Sequence, residues 1–211
     1  MLDTPNVDRS DVDRRARRRE STRREILDAA WEVARESGLT GVTLRDVAER
    51  VGMRAPSLYS HFESKHAIYD AMFGEAWADY ERVTRVEGAG APDDLRGAAH
   101  AMSRTFFDFA VADHARYQLM NERVVPGFEP SAESYAPAVR VLEATYAVAA
   151  ERGLADPDDL TILLAIIGGL VAQHLANDPD GDRYERLLPR AVDIWADGIG
   201  LPRTTPEKDP A

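Results

Sequence analysis

The sequence predicts an all-α protein: an N-terminal three-helix head of helix-turn-helix type, followed by a larger C-terminal helical domain. Three observations carry this. Apolar residues recur at i, i+3, i+4 and i+7 over most of the chain, no stretch shows the sustained β-branched alternation of a strand, and Gly- or Pro-containing breaks separate the periodic segments. With 211 residues, 44% of them hydrophobic, the chain can fill a core. It has no cysteine, which excludes disulfide frameworks, thiolate metal sites and cysteine nucleophiles and makes a reducing cytoplasm the expected location. The longest apolar run, Leu160 to Ala172, contains Thr161 and a Gly168-Gly169 pair and falls short of a bilayer span, and the N-terminus is charged where a signal peptide would be apolar. No membrane association is expected.

The elements follow in order. Thr22 and Glu25 have capping-box spacing, and Ile26, Leu27, Ala30, Trp31 and Ala34 form a stripe that stops before Gly38. Thr43 and Asp46 repeat that signal ahead of Leu44, Val47, Ala48 and Val51, with Gly52 ending the run. A third short helix starts near Arg54 or Ala55, because Pro56 suits only a first helical turn, and Leu58 and Phe62 supply its inward face. Ser64 caps a longer helix through Ile68, Met72 and Trp77 toward Val83, and residues 88–92 break the chain. Further helices are expected at 93–111, 114–121, 132–151, 157–176 and 183–198. The resulting division is an arm at 1–20, a three-helix head at 21–66, a larger helical domain at 67–201 and a tail at 202–211, with arm and tail expected to be flexible.

Net charge is −11, but it is unevenly spread. Residues 1–65 hold 13 Lys and Arg against 12 Asp and Glu, a net of +1, leaving 13 against 25, a net of −12, for the other 146 residues. Only the first third tolerates a polyanion. There Arg14, Arg15, Arg17, Arg18, Arg19, Arg23 and Arg24 place seven guanidinium groups in eleven positions, a density suited to phosphate contact or to a solvated charged face.

The second and third helices with the Gly52-Met53 turn have the lengths of a DNA-binding helix-turn-helix. The outer face of the third helix is small or hydrogen-bonding, with Arg54, Ala55, Ser57, Tyr59, Ser60 and His61. Such a face enters a major groove deeply and reaches base edges or phosphates. A short connecting helix in an ordinary bundle is the other reading of the same pattern.

The run from Gly41-Val42-Thr43-Leu44 through Val47-Ala48-Glu49-Arg50-Val51-Gly52, then Ser57-Leu58-Tyr59-Ser60-His61-Phe62 and Ser64-Lys65, resembles the N-terminal domain of the TetR family of transcriptional regulators, over residues 22–73. The resemblance implies that Thr43, Tyr59, His61 and Lys65 contact phosphates while residues near Arg54, Ala55 and Ser57 read bases. Two positions depart from the commonest pattern: Arg54 stands where a small hydroxylated cap usually opens the recognition helix, and Pro56 where glycine is frequent. Arg54 is able to pair with guanine or with phosphate. The implied function is a transcriptional regulator, a repressor released from a palindromic double-stranded operator by a small-molecule effector. An activator, an effector-independent regulator and a helical small-molecule carrier that does not bind DNA are the alternatives.

Beyond residue 85 the resemblance is architectural, implying a ligand-binding domain and a four-helix dimer interface. The residues agree, since Leu160, Ile162, Leu163, Leu164, Ile166, Ile167, Leu170 and Val171 go nearly round their helix. Ile167, Leu170, Leu188 and Trp195 are the expected homodimer contacts. Among the aromatic, Met and His residues, Phe106, Phe109, Tyr117, Met120 and His174 are the expected ligand contacts, because helical bundles use such side chains as pocket walls. No cofactor, metal or catalytic constellation is expected: Glu63 and His66 form a single Glu-x-x-His motif where a di-iron bundle needs two, and neither a phosphate loop nor a nucleophile elbow occurs.

Overall fold

The computed structural model describes residues 9–203. It is all-α: α1 (Arg9–Ser37), α2 (Leu44–Arg50), α3 (Ala55–Leu58), α4 (Lys65–Gly88), α5 (Leu95–Val111), α6 (His114–Asn121), α7 (Ala132–Glu151), α8 (Pro157–Asn177) and α9 (Leu188–Gly198), with single 3-10 turns at Leu39–Gly41 and Glu185–Leu187. The local signals act where the sequence places them at most boundaries. The Thr43 hydroxyl accepts from the Asp46 amide and donates to its carboxylate, Ser64 accepts from the Ala67 amide, and Pro157 stands in the first turn of α8 behind the Asp156 cap.

Three expectations need correction. Helix α1 starts at Arg9, so Thr22 is interior; its hydroxyl bonds back to the Arg18 carbonyl, and Ser21 pairs with Glu25 instead. Residues 9–20 thus belong to the first helix of the head, and residues 1–8 of the expected arm lie outside the described residues. Likewise, residues 204–211 of the expected tail lie outside them. The second correction concerns the division at 66/67, which falls inside the unbroken α4. The third concerns α8, which at 21 residues with a mean hydropathy of 1.7 over its most apolar window is long and apolar enough to span a bilayer. Only 28% of that window is buried.

Two apolar cores are stacked along α4 and α5. The first gathers Ile26, Ala30 and Val33 of α1, Val47, Leu58 and Phe62 of the head, and Ile68, Tyr69, Met72 and Phe73 of α4. Ala115, Leu119 and Met120 of α6 enter the same core, tying the larger domain to the head. The second contains Leu95, Ala99 and Phe107 of α5, Leu160, Leu163, Ile167 and Val171 of α8, and Leu188, Val192 and Trp195 of α9.

Polar clasps fix these layers. Arg50 pairs with Glu32 and Glu36 to hold α2 on α1, and its guanidinium keeps the Glu36 carboxyl below the usual range. The nearly buried Arg96 bridges α5 to α9, donating to Asp193, Asp197 and the carbonyls of Leu201 and Pro202. The Tyr69 hydroxyl donates 2.5 Å to the Leu39 carbonyl, seating α4 against the loop ahead of α2, and burial raises its phenol to about 12. Tyr69→Phe removes that donor and leaves the Leu39 carbonyl with the Val42 amide as its remaining partner. A cost of about 1 kcal/mol is expected, seen as a fall in Tm of roughly 2–4 °C; an unchanged Tm would mean that this bond contributes nothing.

Candidate nucleic-acid interface and ligand cavity

Because Gly52 takes a positive φ of 72°, the chain turns sharply between α2 and α3. The Met53 amide then bonds to the Ala48 carbonyl, closing the turn. Leu58 and Phe62 are buried, so the residues between them project outward. Thr43, Arg54, Ser57, Tyr59 and Ser60 are exposed, while Ala55, His61 and Lys65 are half-buried. Arg54 occupies the N-cap position of α3 without capping it, which leaves its guanidinium to solvent. Lys65 reaches the Thr40 carbonyl at 3.5 Å and lies 5.4 Å from the Tyr69 ring centroid, so its ammonium stays between the start of α4 and the loop before α2. The expected DNA-facing set is therefore solvent-accessible in whole or in part.

A device the sequence did not reveal braces α3 from behind. The Arg23 guanidinium lies 4.1 Å from the Phe62 ring centroid and donates to the His61 carbonyl; one turn earlier Arg19 donates to the Ser60 carbonyl. These carbonyls lie just past α3, where the chain would otherwise rely on water. Two of the seven clustered arginines thus hold the recognition segment, a role visible only once α1 is known to run beside it.

The second feature is a cavity of about 340 Å³ between α4, α5, α7, α8 and α9. Leu163, Leu160, Trp195, Tyr80 and Leu95, all at most 7% exposed, form its floor. The space exists because neighbouring lining positions are small: Ala91, Ala98, Ala99, Ala101, Ala144 and Ala149. Thr84, Thr105 and Thr145 also line it, but each hydroxyl donates to a carbonyl of its own helix. Glu81, Arg85, Arg140 and Arg152 line the solvent side, where Arg140 grips Glu81 through two bonds of 2.9 and 2.7 Å. That pairing holds the Glu81 carboxyl below its usual range.

The five expected ligand contacts lie elsewhere. Phe106 and Phe109 pack on Tyr80 at centroid distances of 5.7 and 4.9 Å, and Arg116 covers Phe109. Tyr117 donates to the Gly168 carbonyl, Met120 belongs to the head's core, and His174 is buried edge-on to Phe107. Large aromatic side chains fill space with one another, whereas the cavity opens where side chains end at Cβ.

The expected dimer contacts lie mostly inside the protomer. Ile167, Leu188 and Trp195 are buried within one protomer, and Leu170 is half-buried. The uncovered apolar face of α8 is the opposite one, with Ile162 (52% exposed), Ala165 and Gly169. It continues over Leu187 of the 3-10 turn before α9 and, on α9, half-buried Ala191 and Ile194 (62% exposed). A Cβ added at Gly168 or Gly169 meets nothing within 4 Å, so no neighbour in the protomer accounts for the glycine pair.

Residues 26–72 match the family model described as bacterial regulatory proteins, tetR family. Across 182 residues the chain is 27% identical to the class A tetracycline repressor from transposon 1721 of Escherichia coli, covering 81% of this chain and 79% of that one. Over 56 residues, 26% of each chain, it is 39% identical to the class D tetracycline repressor of Escherichia coli. The TetR-family regulator PfmR from Thermus thermophilus superposes with a TM-score of 0.61 at 21% identity, covering 84% of this chain and 99% of that structure, which is a likeness of fold.

The brace makes a testable statement about the head. Arg23→Ala removes a cation–π contact and a carbonyl bond, together about 1–2 kcal/mol. Amide exchange at His61 and Phe62 is expected to accelerate roughly tenfold, an increase measurable by mass spectrometry or NMR. Unaltered protection at these amides would contradict the bracing role.

Proposed function

The chain belongs to the TetR family of bacterial regulatory proteins, and we propose that it is a cytoplasmic, homodimeric repressor whose hold on a palindromic operator is released by a small molecule. The observation that carries this reading is the continuity of α4. Its first turns hold Lys65 and Tyr69 of the head, while Tyr80, Glu81, Thr84 and Arg85 of the same helix line the cavity. From Lys65 to Tyr80 is roughly 22 Å of α-helix at 1.5 Å per residue. A ligand that favours one seating of α4 against α5 and α7 therefore biases the angle of the head.

On this reading Thr43, Tyr59, Ser60, His61 and Lys65 bind the phosphate backbone, and Arg54, Ala55 and Ser57 approach the bases. The exposed arginines of α1 add sequence-independent attraction, which a domain of net charge −12 would otherwise oppose. The uncovered faces of α8 and α9 pack against the same faces of a second copy, with Gly168 and Gly169 allowing close approach of the two backbones. A two-fold dimer presents two identical recognition segments to successive major grooves. Ligand binding then releases DNA to the extent that the ligand prefers the state whose heads are wrongly spaced.

Three outcomes are expected. Lys65→Ala weakens binding to all duplexes and lowers the slope of log affinity against log salt by roughly one per subunit; an unchanged slope removes Lys65 from the interface. Ile194→Glu buries a carboxylate at the dimer contact and is expected to give monomers by analytical ultracentrifugation. A folded, fully dimeric Ile194→Glu protein would place the interface elsewhere. Selection from random duplexes should return an inverted repeat, and a site without two-fold symmetry would defeat the dimeric reading.

A further inference from the structure

Resting on the reading of the α4–α5–α7–α8 cavity as the effector site, we propose that it takes an apolar monocarboxylate, its hydrocarbon body on the cavity floor and its carboxylate at Arg85 and Arg152. The cavity's wall leaves few options for polar recognition. Its three threonine hydroxyls already donate within their own helices, so they offer a ligand lone pairs and no proton. Tyr80, 5% exposed, is the one phenol in the lining among the described residues. Burial pushes the phenol well above its ordinary value, so it stays neutral at neutral pH. Apart from that group, the floor of Leu95, Leu160, Leu163 and Trp195 favours hydrocarbon.

The charged groups stand at the solvent side, and they are unequally engaged. Glu81 receives both bonds of Arg140, and Arg85, whose side chain is 76% exposed, is a loose third member at 3.5 Å. Arg152 donates only to the carbonyls of Pro92 and Val148, at 3.1 and 3.5 Å. Helices α4 and α7 run side by side in the same direction, as the pairs Asp70–Ser134, Phe73–Tyr135 and Glu81–Arg140 require. Arg85 and Arg152 therefore lie toward the same end of the cavity. Glu87 is the only carboxylate at the cavity besides Glu81 among the described residues, and the charge of the lining is positive. An incoming carboxylate replaces the carbonyl contacts of Arg152 with charge-assisted ones and draws Arg85 from its loose contact with Glu81, without breaking the Arg140–Glu81 clamp.

The test uses the full-length protein and matched straight-chain probes, hexanoate through dodecanoate with the alcohols and amines of the same lengths. Binding is read by calorimetry, and release of a selected operator duplex by fluorescence anisotropy. At least one acid is expected to bind at least tenfold more tightly than its alcohol and its amine, and to release the duplex. Arg152→Gln and Arg85→Gln should each weaken the acid about tenfold while leaving the alcohol's affinity within twofold, the size of one charge-assisted bond. The alcohol serves as the control for folding, because it needs the apolar floor and not the guanidinium groups. Equal or tighter binding by alcohol or amine, equal losses for acid and alcohol in the variants, or no binding by any acid overturns the proposal. An alcohol or amine that binds and releases DNA would do so while leaving the effector-site reading intact; an acid that binds as described without releasing DNA would instead contradict that reading.

Discussion

Helix α4 is the constraint on which the rest of the structure depends. At its N-terminal end Ser64 caps it and Tyr69 anchors it to the Leu39 carbonyl; midway Asp70 accepts from the Ser131 amide and from the hydroxyls of Ser131 and Ser134; near its C-terminal end Glu81 is clamped by Arg140. Its apolar side contributes Ile68, Tyr69, Met72, Phe73, Ala76 and Tyr80 to the core continuously, with no proline to absorb a bend. A helix fixed at both ends by directional bonds moves as a unit. On the proposed reading, coupling between head and cavity needs no chain of intermediate contacts, only two seatings of one rigid element.

The second governing fact is the mismatch between hydropathy and burial in α8. Leu160, Leu163, Ile167, Val171 and His174 face the protomer's core, and Ile162, Ala165 and Gly169 occupy the opposite side. An apolar exterior on a helix long enough to span a bilayer needs a cover. Ile194 of the neighbouring α9 and Leu187 of the turn before it are exposed as well, so the uncovered area is shared by two helices and broken by charged groups such as Arg190 and Asp197. That mixture suits a second protein surface better than a lipid one.

How much of this was legible in the sequence follows from what each signal encodes. Capping and turn chemistry is local, so Thr43, Gly52 and Ser64 marked boundaries that the structure keeps. The start of α1 was missed because Thr22 and Glu25 have capping spacing wherever they fall, and nothing local distinguishes a cap from an interior pair. Choice of face is a tertiary property: a helix apolar all round does not say which side meets its own chain, and Ile167 and Trp195 looked as exposed to a partner as Ile162 and Ile194. The cavity escaped for a different reason. Aromatic residues announce apolar volume, but Phe106 and Phe109 use theirs on Tyr80, while the alanines that leave the space open resemble ordinary helix formers. The Arg19 and Arg23 brace was hidden by charge, since arginines in a run suggest phosphate before they suggest a carbonyl.

Absence of cysteine from the sequence permits a direct measurement of the central claim, that the seating of α4 sets the spacing of two heads. A single Glu49→Cys substitution places one spin label on the exposed side of α2 in each protomer. Double electron–electron resonance then reads the distance between the labels with operator duplex bound and with a saturating releasing ligand. The account predicts two distinct distance distributions, with the duplex selecting one and the ligand the other. The same distribution in both states, in a protein whose operator the ligand still releases, would contradict it.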